Sequence, residues 1–199
     1  MPIFFIVVLF TAWFAFARSR TTSHQSKSAD NFWEMESNAN NTRKTSLECL
    51  DYITIPLNLI ELSTYSNDSS LLEYGASLEL LTTKKIVNLT GINNTDLKLK
   101  YGSANLTLLT EYDQNFTKLA QTLNKLGSRL NELGNTHSAI MVLEYAVDCG
   151  SDISSTYNLL SNLYLVTDQS DKIDSLIKSA STLNSLMKNS IIKKLEALK

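Results

Sequence analysis

The chain has 199 residues, of which 43% are hydrophobic and 19% are charged, proportions that are typical of a globular protein and exclude a disordered one. Its formal net charge is −2 and the sequence contains no block of like charges, which disfavours a nucleic-acid partner. Because only six Gly and two Pro are present, the composition favours an all-α fold of helices connected by short polar turns.

The first predicted element is an uncharged, Phe-rich stretch over residues 2–17, which also contains Trp13. Sixteen helical residues span about 24 Å, and the long side chains of Arg18 and Arg20 can complete the distance across a bilayer core of about 30 Å. The basic residues follow this stretch, and cationic flanks stay on the cytoplasmic side. We therefore predict a transmembrane signal-anchor at 1–17 that holds a cytoplasmic domain on the cell membrane.

The same stretch supports a second interpretation, a cleaved signal peptide, because Ala15 and Ala17 form an A-x-A cleavage site. The mature chain would then be a secreted or cell-envelope helical protein. Cys49 and Cys149 could pair only in that setting and are otherwise expected to be free thiols. Acceptor sequences for N-glycosylation begin at Asn40, Asn67, Asn88, Asn93, Asn105 and Asn115. About four are expected by chance from the Asn, Ser and Thr content, so they do not decide between the interpretations.

The next segments are predicted in chain order. Residues 18–30 are polar and without periodicity, which predicts a flexible linker. Asp30 or Asn31 is the predicted N-cap of a juxtamembrane helix, and an extended stretch around Pro56 follows, so that 31–68 forms one segment. Flanking helices are predicted over 69–118, one at 69–85 and a short one around Asp96–Lys100.

From residue 119 to the end of the chain, the hydrophobic pattern repeats with a period of 34 residues. Large residues recur where two antiparallel helices fill space, and small ones recur where their backbones approach closely. The matched pairs are Leu123 with Tyr157, Leu126 with Leu160, Gly127 with Ser161, Leu130 with Tyr164, Ala139 with Ile173, Leu143 with Ile177 and Ala146 with Ala180.

This helix–turn–helix period resembles the tetratricopeptide repeat. Leu126, Gly127, Ala139 and Ala146 match the family pattern in the first copy, whereas Leu123 stands where the family has Trp. The resemblance implies an α-α superhelix made of two hairpins, with flanking helices at one end. The terminal helix at 186–199 is predicted to cap the other end, with Ile191, Ile192, Leu195 and Leu198 covering the last repeat.

The order of segments along the whole chain is also similar to that of small membrane-anchored proteins of low-GC Gram-positive bacteria. It runs from the anchor through FWEMESNANNTRK, DYITIPL and KIVNLTGINNTDLKLKYG to LTEYDQNFTKLAQTL and the repeats. That resemblance implies an anchored cytoplasmic domain and suggests no activity.

Sequence motifs for catalysis are missing. No G-x-G, P-loop or H-E-x-x-H pattern occurs, and the two histidines are His24 and His137. We therefore expect no cofactor, no metal and no enzymatic activity.

Protein binding remains the predicted function. In tetratricopeptide-like domains, the first helix of each repeat lines a concave groove, and side-chain amides there can both donate to and accept from a peptide backbone. The predicted partner is a protein or peptide, and the pattern specifies no oligomeric state. By this register, the predicted groove residues are Gln121, Asn124, Ser128 and Asn131 in the first copy, and Asn158 and Asn162 in the second.

Overall fold

The computed structural model of the chain describes residues 2–64 and 67–198, and for residues 2–4, 15, 17–29, 63 and 64 it describes the backbone alone. This part of the chain is helical and contains no strand, apart from one isolated antiparallel bridge between Tyr52 and Val87. The all-α class predicted from the composition is confirmed. The helices are α1 Pro2–Asn41, α2 Leu57–Thr64, α3 Ser69–Thr82, α4 Asn94–Tyr101, α5 Leu106–Glu132, α6 Thr136–Asp148, α7 Ser154–Val166, α8 Lys172–Thr182 and α9 Lys188–Glu196, with a 3-10 turn at Ser103–Asn105.

Helix α1 differs from the predicted organisation. It continues through residues 18–30, where a linker was predicted, and past the predicted N-cap at Asp30 or Asn31. The sequence offers a reason, because no Gly or Pro occurs between residues 3 and 41 to interrupt the helical hydrogen bonds. At 1.5 Å per residue, its 40 residues extend over about 60 Å.

Among the side chains that the structure describes, no helical stretch combines the length and apolar character that crossing a membrane requires. The predicted membrane segment 2–17 falls only partly within them. Its residues Pro2, Ile3, Phe4, Ala15 and Ala17 lie outside the described side chains.

The chain forms two compact units, and the first comprises Met1–Ser46 and Asn93–Leu106. Within it, α4 packs against α1 around Ala39, which is fully buried. The Lys98 ammonium pairs with the Glu36 carboxylate, which also accepts a 2.8 Å hydrogen bond from the Thr95 hydroxyl. The hydrogen bond from Lys98, followed by that from Thr95, lowers the pKa of Glu36. A small polar contact therefore joins the two helices.

The second unit comprises Leu47–Ile92 and Thr107–Lys199. The extended prediction for DYITIPLNLI, residues 51–60, is confirmed only up to Pro56. Residues 51–56 contain no helix and include the bridge from Tyr52 to Val87, whereas 57–60 are helical. The helix α2 then begins directly after Pro56 and packs against α3. The predicted helix at 69–85 is confirmed as α3, which Asp68 caps by accepting from the backbone N–H groups of Ser70 and Leu71, both at 3.0 Å.

These units do not follow the predicted segments, since 93–106 groups with the N-terminal unit and 47–68 groups with the residues beyond 107.

Two helical hairpins, α5–α6 and α7–α8, occupy most of the second unit. Helices α5 and α7 end at Glu132 and Val166, which are 34 residues apart. The side chains at the predicted matched positions are buried in both hairpins, except Ile177, which is half-buried. Close approach at Gly127 is visible directly, because a Cβ there would lie 2.7 Å from Leu143 Cδ2.

Helix α9 closes this end of the second unit by packing against α7 and α8. The predicted terminal helix is confirmed over Lys188–Glu196. Ile191 and Leu195 are buried, whereas Leu198, which was predicted to cover the repeat, is 37% exposed. Lys193 and Lys194 face solvent in the last turn, where cations complement the helix dipole.

Candidate functional site

The predicted groove residues lie on the solvent-facing side of α5 and α7. Gln121 and Asn162 are exposed, and the other four are half-buried. We call this set the polar face; it consists of Gln121, Asn124, Ser128 and Asn131 on α5 and Asn158 and Asn162 on α7.

Asn124 connects the two helices of the polar face. Its Oδ1 accepts hydrogen bonds from the hydroxyls of Ser155 and Thr156, each at 3.0 Å. Its amide nitrogen donates no hydrogen bond to any other described residue. Asn124 therefore has a structural role through its side-chain oxygen, while the two hydrogens of its amide nitrogen remain available as donors.

Next to Asn124, a cavity of about 320 Å³ lies between α3 and α5. Asn124 and Ser128 are the two predicted residues that line it. Gln121 and Asn131 lie outside its lining, as do Asn158 and Asn162 on α7. The remaining lining residues are Ser70, Tyr74, Lys125, Arg129 and Glu132. The structure therefore brings two predicted residues into one concavity and leaves four beside it on the polar face.

The charges in this cavity nearly balance. Arg129 Nη2 lies 2.6 Å from Asp68 Oδ2, and Arg129 Nη1 lies 2.7 Å from Glu132 Oε2. The hydrogen bond from Arg129 lowers the pKa of Asp68, and the backbone N–H of Leu71 adds to that effect. The same carboxylates raise the pKa of Arg129. The two carboxylates balance the formal charges of Arg129 and Lys125, so the cavity favours polar, near-neutral groups over strongly anionic ones.

The contribution of α3 to this site is absent from the sequence prediction. Ser70 and Tyr74 belong to a helix outside the 34-residue register, so the period could not place them. A partial signal exists, because Asp68 is a good N-cap just before a predicted helix, and its second carboxylate oxygen can reach an arginine on a neighbouring element.

A larger concavity of about 610 Å³ lies elsewhere in the second unit, and it is mainly apolar. Its lining residues are Leu62, Leu71, Leu130, Leu133 and Met141, with Asn58, Glu61 and Asn135. Leu133 is 49% exposed at its edge. Apolar concavities of this size are common binding sites, so this apolar groove is the main structural competitor of the polar face.

The described histidine and the two cysteines do not line either concavity. His137 is exposed on α6. Cys49 is exposed and Cys149 is half-buried, both are free thiols, and burial raises the pKa of Cys149. In the part of the chain that the structure describes, no three His, Cys, Asp or Glu side chains are grouped to hold a metal ion.

No family model, curated protein or solved structure matches this chain. What the polar face can bind therefore follows from its own side chains. Carboxamides and hydroxyls spaced along two adjacent helices supply donors and acceptors of the kind that an extended peptide backbone requires.

Proposed function

We propose that the chain is a membrane-tethered scaffold of tetratricopeptide-like helical hairpins that binds a protein or peptide partner at the inner face of the membrane, without catalysis. The polar face is the proposed binding surface, and an extended polypeptide segment is the proposed ligand. The resemblance of the repeats to tetratricopeptide repeats supports this proposal, together with the two hairpins of the second unit.

One observation carries the binding part of the proposal. The Asn124 oxygen is occupied by Ser155 and Thr156, which orients the side chain, while its amide nitrogen stays available beside a concavity. A donor held in one orientation before binding loses less conformational freedom when a ligand arrives. Asn158 and Asn162 continue the same chemistry on the adjacent helix.

The tethering part of the proposal is supported by the surface of α1. Nine large apolar side chains between Phe5 and Phe16 are at least 47% exposed. An apolar surface of this extent is unfavourable in water and marks a surface that another apolar phase covers. A lipid bilayer fits, because these side chains surround the helix instead of forming one stripe.

The near balance of charge in the cavity restricts the chemical class of ligand that we propose. The carboxylates of Asp68 and Glu132 neutralise Arg129, so a ligand that depends on a phosphate or a terminal carboxylate would gain little there. We propose that the polypeptide segment is recognised mainly through its backbone amides.

Binding at the polar face can be tested on the full chain in detergent with a library of extended peptides. Asn158→Ala combined with Asn162→Ala removes two amides that form no side-chain hydrogen bond with another described residue. Asn124→Asp keeps the acceptor for Ser155 and Thr156 but removes the donor. We expect both variants to lose peptide binding by tenfold or more.

Asn189→Ala is the matched control, since it makes the same chemical change at an exposed site on α9. Unchanged peptide binding in the Asn158/Asn162 variant would disprove the role of the polar face. Loss of binding in Leu133→Asp alone would assign the ligand to the apolar groove instead.

The orientation of the tether can be tested with Cys49, which is exposed and therefore reacts faster with maleimide than the half-buried Cys149. The Cys149→Ser variant leaves Cys49 as the only thiol. With a membrane-impermeant maleimide, we expect labelling after lysis and none in intact cells. Labelling of intact cells, or a mature N-terminus at Arg18, would instead support the secreted or cell-envelope interpretation.

A further inference from the structure

In three of the six N-glycosylation acceptor sequences, the asparagine side chain is buried or uses both of its amide hydrogens in hydrogen bonds. A glycan is attached to Asn Nδ2. Its transfer replaces one of the two amide hydrogens with a bond to a sugar carbon; the diphosphate of the lipid-linked donor leaves, and the transferase takes the displaced proton. An acceptor asparagine therefore needs a spare hydrogen and open space around Nδ2.

Asn105 has neither of these. Its side chain is fully buried in the first unit, at the end of the 3-10 turn Ser103–Asn105. Nδ2 donates to the backbone oxygen of Thr45 at 2.8 Å and to that of Tyr101 at 2.7 Å. Both hydrogens are used, and a sugar would break one hydrogen bond and displace the chain around Thr45.

Asn88 and Asn115, in the second unit, each lack one of these two requirements: half-buried Asn88 has no spare hydrogen, and Asn115 has no open space. Asn88 Nδ2 donates to the backbone oxygens of Cys149 at 3.2 Å and Gly150 at 3.1 Å, which again uses both hydrogens. Asn115 Nδ2 donates to the Lys85 oxygen at 3.0 Å, and the residue is only 7% exposed. By contrast, Asn40, Asn67 and Asn93 are exposed.

We infer that glycans at Asn88, Asn105 and Asn115 are incompatible with this fold, and that the protein therefore folds in a compartment without N-glycosyl transfer. The reason is the timing of transfer, which acts on an extended acceptor before the surrounding chain has packed. A domain that entered such a compartment would acquire buried glycans at these sites. This inference adds to the proposed orientation of the tether and does not use the polar face. Disproof of binding at the polar face would therefore leave this inference unaffected, and the reverse also holds.

The test uses the full chain in mammalian cells, in two orientations. The first is the chain as it is. The second carries four added N-terminal lysines together with Arg18→Gln and Arg20→Gln, which by the positive-inside rule directs the domain into the endoplasmic reticulum. We expect no endoglycosidase-sensitive shift for the first form. For the second, we expect glycans, and at least a tenfold loss of resistance to limited proteolysis.

A matched control separates glycosylation from relocation. The inverted chain with Thr90→Ala, Thr107→Ala and Thr117→Ala loses the three acceptor sequences but keeps every asparagine hydrogen bond. Thr107 and Thr117 are exposed and Thr90 is half-buried. We expect this control to keep glycans at exposed Asn40, Asn67 and Asn93 and to recover protease resistance.

Two results would overturn the inference. One is a glycan on any acceptor asparagine of the unaltered chain. The other is an inverted chain that carries glycans at Asn105 and Asn115 yet resists protease as well as the threonine-to-alanine control.

Discussion

The hairpins α5–α6 and α7–α8 both bury the side chains at matched positions 34 residues apart, but with different chemistry. Where the first buries Leu123 and Leu130, the second buries Tyr157 and Tyr164. Each tyrosine hydroxyl finds a partner: Tyr157 donates to the Ser151 backbone oxygen at 2.9 Å, and Tyr164 donates to a Glu144 carboxylate oxygen at 2.7 Å. At these two matched positions the first hairpin is thus packed by aliphatic side chains, and the second adds hydrogen bonds.

The positions of the small residues differ as well. Gly127 lets Leu143 approach the α5 backbone, whereas the matched Ser161 tolerates a side chain and donates to the Asn158 backbone oxygen at 3.0 Å. At matched positions, the individual side chain therefore decides whether close packing or a hydrogen bond fills the space between the helices.

The largest expected change in the free energy of unfolding comes from variants that test whether the two hairpins form one core. Leu126 and Leu160 are matched leucines, and both are fully buried. Replacing either with Ala should lower the free energy of unfolding by about 2–5 kcal/mol, measured by urea unfolding in detergent. We expect similar losses and a single transition for both variants. Two separate transitions would show that the hairpins unfold independently.

The next largest expected change compares substitutions at the matched small residues, Gly127 and Ser161. In Gly127→Val, the added atoms meet Leu143, and overpacking should cost about 1–3 kcal/mol. Ser161→Ala removes only a hydroxyl that bonds to its own helix, so a change within about 0.5 kcal/mol is expected. Equal losses in the two unfolding curves would contradict the difference in interhelical spacing.

A smaller effect tests the hydroxyls of the second hairpin. Tyr157→Phe leaves the Ser151 oxygen without that donor in a buried site and should cost about 1–2 kcal/mol. Tyr164→Phe should cost about 1 kcal/mol or less, because Lys172 still contacts Glu144 at 2.9 Å. Leu130→Met, a volume-conserving change at the matched position in the first hairpin, provides the control. A Tyr164→Phe loss above that of Tyr157→Phe would refute this ranking.

The smallest effect concerns the edge of the first hairpin and depends on pH. Arg129 lowers the pKa of Asp68 below its ordinary value of 3.8. A depressed carboxyl pKa adds stability that is complete above the unfolded pKa and is lost as the pH falls through the folded one. Asp68→Asn can still cap α3, so the stability gap between wild type and variant should exist at pH 7 and shrink below pH 3.8. A gap that is constant across this range would mean that the Asp68 charge contributes nothing to stability.

Much of the second unit is predictable from sequence, for a physical reason visible in particular residues. Leu126, Ala139 and Ala146 recur one period later as Leu160, Ile173 and Ala180, and all six are buried. Helix packing requires buried residues at regular intervals, and that regular spacing can be recognised in the sequence. The polar face follows from the same register, and the proposed role of that face remains a prediction.

The α3 side of the candidate site and the buried acceptor asparagines could not be predicted in this way. Ser70, Tyr74 and Arg129 come together only because Asp68 joins an N-cap on one helix to an arginine on another, 61 residues away. Asn88, Asn105 and Asn115 are indistinguishable in sequence from exposed Asn40, since each has the same acceptor pattern. A three-residue acceptor motif does not indicate whether its asparagine side chain is buried.

The sequence by itself determined the helical class, the 34-residue spacing of the matched residues and the apolar character of residues 2–17, because each is a pattern of residue types along the chain. Tertiary structure alone decided which polar side chains share a cavity, which amide hydrogens are used, and the grouping of 93–106 with α1. Those outcomes depend on contacts between residues far apart in sequence, and local periodicity carries no information about them.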